Sequence, residues 1–153
     1  MLIEDRDRKL LAAIALYQRH KGQGGLLSRL KCNWGKLGHV WWSILSASDI
    51  SREARIDPGT RIPHPMGVVI HARAVVEPGC IIMQQVTLGQ LAEGGAPVIG
   101  AGAYLGAGAR VLGPVRIGAG ARIGANAVVL EDVPPHSTAV GIPARIVSRR
   151  GDR

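Results

Sequence analysis

The sequence predicts a mainly β protein: a parallel β-helix of six-residue repeats preceded by a short α-helical N-terminal region. Three observations carry this. Residues 99–134 read IGAGAY LGAGAR VLGPVR IGAGAR IGANAV VLEDVP, six consecutive blocks that each open on Ile, Leu or Val (Ile99, Leu105, Val111, Ile117, Ile123, Val129). Their fifth positions are small or β-branched (Ala103, Ala109, Val115, Ala121, Ala127, Val133), and a fixed short period of this kind marks a solenoid. Apolar residues make up 46% of the chain but aromatics only 3%, with no Phe, which suits a narrow prism filled with aliphatic side chains. Gly recurs too often for a helix, and the apolar positions do not follow a 3.6-residue period. Three blocks close one triangular coil, so the aliphatic openings stack from coil to coil. The Gly after each opening is expected to supply backbone angles closed to other residues.

Taken in order, residues 1–48 form the helical region. EDRDRKLLAAIALYQRHK (4–21) has acidic residues early and basic ones late, and Leu10, Leu11, Ile14 and Tyr17 form one stripe. Gly22, Gly24 and Gly25 end it, and a second helical piece is expected at about 26–31. All three Trp (Trp34, Trp41, Trp42) follow in KCNWGKLGHVWWSILSAS. Packing of this stretch on the first coil or a neighbouring subunit is favoured over contact with a membrane surface, because the apolar run 40–47 is short.

The β-helix spans 49–140. Its phase begins at Ile50, Ile56 and Ile62, slips by two residues within HPMGVVI, and resumes at Ile70, Val76, Ile82 and Leu88. A non-repeating loop, about 89–97 (GQLAEGGAP), interrupts it before the regular array. Such interruptions are where a solenoid carries function. The slip holds His64, and the loop is expected to project beside it or one coil higher. Residues 141–153 form a basic tail with Arg145, Arg149, Arg150 and Arg153.

The formal charge of +8 suits an anionic partner such as a phosphorylated cofactor. Nucleic acid is not expected, because the aromatics are not interleaved with the basic residues. Cys32 and Cys80 form no motif; Cys80, at a fifth position, reads as a small buried thiol. No signal peptide or apolar run of membrane-spanning length is evident, so the default is cytoplasmic. No metal is expected: His64 and His71 are seven residues apart, His136 lies coils away, and His20 and His39 precede the prism.

HPMGVVIHARAVVEPGCIIMQQVTLG, the regular blocks and the closing VPPHSTAVGIPARIV resemble the hexapeptide acyltransferases, within them the serine O-acetyltransferase group, over about residues 49–148. That resemblance implies a left-handed β-helix, a homotrimer, and acetyl-CoA as co-substrate in the groove between adjacent subunits. It implies His64 as general base, oriented by Asp49 fifteen residues earlier. The chemistry agrees: an acceptor hydroxyl attacks a thioester well only if its proton is removed as it attacks. Gly89, in the loop, is the candidate for oxyanion donation. Ala107 and Ala125 match positions along which the pantetheine arm lies. Arg110, Arg122, Arg145 and Arg149 are candidates for its phosphates.

The sequence also departs from that group. Pro63 stands where its serine enzymes place an Asp before the His, and Gly95–Ala96 where they place Arg-His before the loop's closing Pro. Those side chains hold the amino acid's ammonium and carboxylate. A sugar or saccharide-precursor hydroxyl is therefore the expected acceptor, with serine, as in cysteine biosynthesis, the alternative. A non-catalytic structural β-helix is the rival reading.

Overall fold

The computed structural model describes residues 5–92 and 94–149, the side chains of Ser148 and Arg149 excepted. Two helices lead into the solenoid: α1 (Arg6–His20) and α2 (Leu26–Ser46). Fourteen short strands follow: β1 (Asp49–Ile50), β2 (Arg55–Ile56), β3 (Val69–Ile70), β4 (Val75–Val76), β5 (Ile81–Ile82), β6 (Thr87–Gly89), β7 (Val98–Ile99), β8 (Tyr104–Leu105), β9 (Arg110–Leu112), β10 (Arg116–Ile117), β11 (Arg122–Ile123), β12 (Val128–Val129), β13 (Ser137–Gly141) and β14 (Ala144–Arg149).

The strands stack into three sheets that form the faces of a prism. The first holds β1-β3-β6-β9-β12, the second β2-β4-β7-β10, and the third β5-β8-β11-β13-β14. Among the described residues the strand pairings are parallel except the last, where β14 folds back antiparallel on β13. Register follows the repeat: Ile70 lies over Ile50, Leu88 over Ile70, Val111 over Leu88 and Val129 over Val111. The expected block openings are buried from Ile50 to Val129, Ile56 alone being partly covered. The fifth-position residues Ala54, Ala74, Cys80, Ala103, Ala109, Ala121 and Ala127 fill the corners. Cys80 is buried as expected; its Sγ lies 3.2 Å from the Gly100 carbonyl, and burial pushes its thiol pKa up.

Glycine plays two separate roles, and the second-position residues do not play the expected one. At Gly100 and Gly106 the backbone is not left-handed; instead the next coil stacks so closely that a Cβ would meet Ala119 N or Ala125 N at 2.7 Å. Positive φ belongs to the fourth position, at Gly102, Gly108 and Gly120, and at Asn126, which tolerates it among non-Gly residues.

The helical region differs from expectation in its second helix, which runs on through Ser46. The apolar positions after residue 31 keep helical spacing, so Asn33, Gly35 and Gly38 do not break it. Gly35 and Gly38 let α1 approach: a Cβ on Gly35 would meet Tyr17 N at 2.6 Å. α1 in turn closes the open end of the prism, with Leu10, Leu11 and Ile14 joining the core. Asp7, buried on α1, accepts the Ile62 backbone N–H at 3.1 Å and faces Arg61 Nε at 3.4 Å. Tyr17 donates to Glu53 Oε1 (2.6 Å), and Lys21 binds Glu53 Oε2 (2.5 Å), which fixes the far end of α1 to the first turn. The Trp-bearing stretch packs on α1 through Gly35 and Gly38 and on the core through Trp42, which is half-buried, while Trp34 and Trp41 are exposed.

Two further segments also differ. Residues 144–149, expected as tail, form β14, which pairs antiparallel with β13 after a turn at Ile142–Pro143. Arg150–Arg153 lie outside the described residues. No helix among the described residues is long and apolar enough to cross a membrane.

Candidate active site

The phase slip sits at the prism edge where the chain passes from the third sheet to the first. There the two extra residues of HPMGVVI push His64 outward, exposed between Pro63 and Pro65. It lies in a depression walled by Arg6 and by Leu45, Ser46 and Ala47 at the end of α2. Arg6 donates to the Leu45 carbonyl at 2.6 Å, and among the described residues of the wall it is the one Lys, Arg, Asp or Glu. Asp49 opens β1 one coil below Val69, its side chain exposed on the outer face of the first sheet. Asp49 and His64 thus share the lower end of one edge. Neither side chain hydrogen-bonds to a described residue, so both are open to a ligand.

The same edge continues upward through a ladder of backbone bonds. Gln85 N donates to Met66 O (2.9 Å), Gly108 N to Gln84 O (2.9 Å) and Asn126 N to Ala107 O (2.8 Å). Ala107 and Ala125 therefore lie in the coils above the slip that holds His64. Three strand spacings of ~4.8 Å put Ala125 about 14 Å higher. Small side chains there leave the backbone approachable. Arg110 flanks this ridge from the first sheet, its Nη1 on Gly108 O at 3.3 Å. Arg122 flanks it from the third, its guanidinium stacked 4.7 Å from the Tyr104 ring. Arg145 stands at the upper end on β14, bonded to Ala144 O and 3.9 Å from Glu131. Arg149's side chain lies outside the described residues. The ridge offers small residues for a slender arm and guanidinium groups for phosphates, which fits a phosphorylated thioester carrier. Gln84, whose Oε1 is buried without a partner, belongs to this edge too; only its presence in the QQVTLG segment marked it in sequence.

Gly89 is not brought to His64 within one chain. It ends β6 at the opposite edge of the first sheet, where its carbonyl accepts Gly113 N–H at 3.0 Å. In the loop after it, Leu91 and Gly95 lie against the next coil. Leu91 pairs with Gly94 and covers Gly113, while Gly95 abuts Pro114 so closely that a Cβ would lie 2.5 Å from Pro114 Cβ. His71 is on this edge as well, half-buried, its Nδ1 accepting the Arg73 N–H at 3.2 Å. Among the described residues no cluster of His, Cys, Asp or Glu could hold a metal ion.

A coiled prism of six-residue blocks with its polar residues at two interruptions defines a left-handed β-helix of the hexapeptide transferase type. Residues 96–131 match the family described as bacterial transferase hexapeptide (six repeats). The chain is 44% identical over 110 residues to the serine acetyltransferase of Escherichia coli strain K12, covering 70% of this chain and 40% of that one. The crystal structure of serine acetyltransferase in complex with coenzyme A from Brucella abortus superposes with a TM-score of 0.78 at 30% identity, over 95% of this chain and 55% of that one. The soybean serine acetyltransferase complexed with serine gives 0.76 at 36% identity, over 93% and 56%. This protein is a hexapeptide-repeat, serine O-acetyltransferase-like protein. It spans less than half the length of the curated relatives it matches.

Proposed function

We propose that the protein transfers an acetyl group from acetyl-CoA to an acceptor hydroxyl, with His64 as general base and Asp49 as its orienting carboxylate. One observation carries the reading: an exposed, unpartnered His at the foot of an edge whose upper coils present small residues between Arg110 and Arg122. His64 takes the acceptor's proton as its oxygen bonds to the thioester carbonyl carbon. The carbon–sulfur bond then breaks, and the imidazolium returns the proton to the leaving sulfur. Asp49 stabilises the imidazolium while it exists.

The working unit on this reading is a homotrimer. One chain carries the His64 edge and the Gly89 loop on opposite sides of one sheet, so only adjacent copies bring such edges together. Light scattering that finds a monomer at micromolar concentration sinks this arrangement.

Serine is the acceptor the comparisons favour, since the relatives are serine acetyltransferases and one solved relative is complexed with serine. The saccharide acceptor expected from sequence finds no such support among them. Two features keep it as a second reading. Pro63 leaves the depression without a carboxylate, and Gly95 (φ +78°) has no room for a side chain against Pro114. An ammonium-bearing acceptor lacks its charge partner there. Acetyl-CoA consumption, followed as thiol release with serine, simple sugars and nucleotide sugars in parallel, separates the two. No release with any acceptor leaves the structural β-helix as the remaining reading.

A further inference from the structure

α2 has two faces that differ in kind. Gly35, Gly38, Trp42 and Ser46 face α1 and the prism. The opposite face carries Leu26, Leu30, Trp34, Leu37, Trp41 and Ile44 at intervals of three and four residues, so they form one stripe along the helix. These six side chains are 48–74% exposed. With their apolar neighbours they present on the order of 1,000 Å², more than a free-standing soluble surface ordinarily leaves in one patch.

The charges around this stripe are all of one sign. Residues 26–46 contain no Asp or Glu; Arg29, Lys31 and Lys36 are the only Lys or Arg, and all are exposed. At 100° per residue, Arg29 and Lys36 fall along one margin of the stripe and Lys31 along the other. Arg29 and Lys36 also line a crevice with His20, Gln23 and Asn33. The result is an apolar strip with two Trp in it, bordered on both sides by cations.

We infer that α2 lies in the interface of an anionic lipid bilayer, with Trp34, Leu37 and Trp41 among the acyl chains and Arg29, Lys31 and Lys36 reaching to lipid phosphates. This is the composition and margin pattern of a helix that rests in the headgroup region. The helix is not long and apolar enough to cross the membrane. A second copy of α2 is the poorer occupant, because pairing the stripes brings Arg29, Lys31 and Lys36 of two helices together with no carboxylate on either to answer them. The stripe ends at Ile44, next to Leu45, which is a wall of the depression at His64, so the bound protein holds that depression next to the lipid surface.

Vesicle flotation of the full chain tests this. With phosphatidylcholine vesicles containing about 30% phosphatidylglycerol, the protein floats, and it binds at least about tenfold more tightly than to phosphatidylcholine alone. Trp emission shifts to shorter wavelength on binding. Leu37→Glu with Trp41→Glu abolishes flotation while the far-ultraviolet circular dichroism is kept, since both residues are on the surface. Arg29→Gln, Lys31→Gln and Lys36→Gln together remove the preference for anionic vesicles. The inference is overturned by no flotation of the wild type, by equal binding to both vesicle types, or by undiminished binding of the Glu variant. A wild type that does not float, but whose assembly mass falls in the Glu variant, makes the occupant a second copy.

Discussion

Asp7 on α1 accepts the backbone N–H of Ile62, two residues before His64 and fifty-five residues away in sequence. Asp49, Ser51, Arg55, Asp57 and Arg61 of the first coil donate to carbonyls of the coil above; the Ile62 N–H points the other way, where there is no coil, and a buried carboxylate accepts it. Asp7→Ala leaves that N–H unpaired and removes the partner of Arg61, so unfolding free energy in urea drops by about 1–3 kcal/mol. Asp7→Asn keeps an acceptor oxygen and loses less. If Asp7→Ala is neutral, the N–H finds water and the helix is held by Leu10, Leu11 and Ile14 alone.

Glu53 gives the same junction a pH dependence. The Lys21 hydrogen bond, then that of Tyr17, holds the Glu53 carboxyl below the usual carboxylate range. A carboxylate whose pKa is lowered on folding contributes stability that is fully present above its unfolded pKa, about 4.3, and is lost as pH falls through the folded value. Stability therefore decreases in acid below about pH 4, and Glu53→Gln flattens that decrease. The difference is small, because Glu53 and Lys21 are both substantially solvent-exposed. Urea midpoints of the two proteins between pH 7 and pH 3 measure it.

Gly118 tests the stacking role found for second-position glycines. A Cβ there would run into the backbone of Pro134 and Pro135 in the next coil, with no left-handed φ involved. Gly118→Ala consequently destabilises by about 1–3 kcal/mol through overpacking. A neutral or stabilising effect, as reduced unfolded-state entropy alone gives, shows that the coils can part at no cost.

The solenoid was legible because its period is written in every block: Ile99, Leu105 and Val111 each find their partner three blocks on, in Ile117, Ile123 and Val129. The slip at His64 was legible for the same reason, as a break in a count. What the period cannot carry is the third dimension at an interruption. Nothing in GQLAEGGAP says that Leu91 folds back over Gly113, or that Gly89 lies across a sheet from His64. The helical region was legible only in part. The stripe of α1 shows, but the second helix was expected only to about residue 31; it runs on through Gly35 and Gly38, whose missing side chains let Tyr17 and Ala13 pack close.

The last expectation concerns His64 and Asp49 together. His64→Ala removes the proposed base from an exposed position that makes no side-chain hydrogen bond with the described residues, so the fold and the ridge above it stay intact. The loss appears in kcat, by roughly 10²–10⁴-fold, with the acetyl-CoA dissociation constant nearly unchanged by calorimetry. Asp49→Asn loses less, since it removes orientation and charge but leaves the base. In the wild type kcat/KM falls toward acid pH, because a protonated imidazole cannot accept the hydroxyl proton. Wild-type turnover by His64→Ala places the base elsewhere, and His71 on the opposite edge becomes the residue to substitute. Loss of acetyl-CoA affinity or of assembly in that variant, with turnover lost only in proportion, makes His64 a structural residue of the slip.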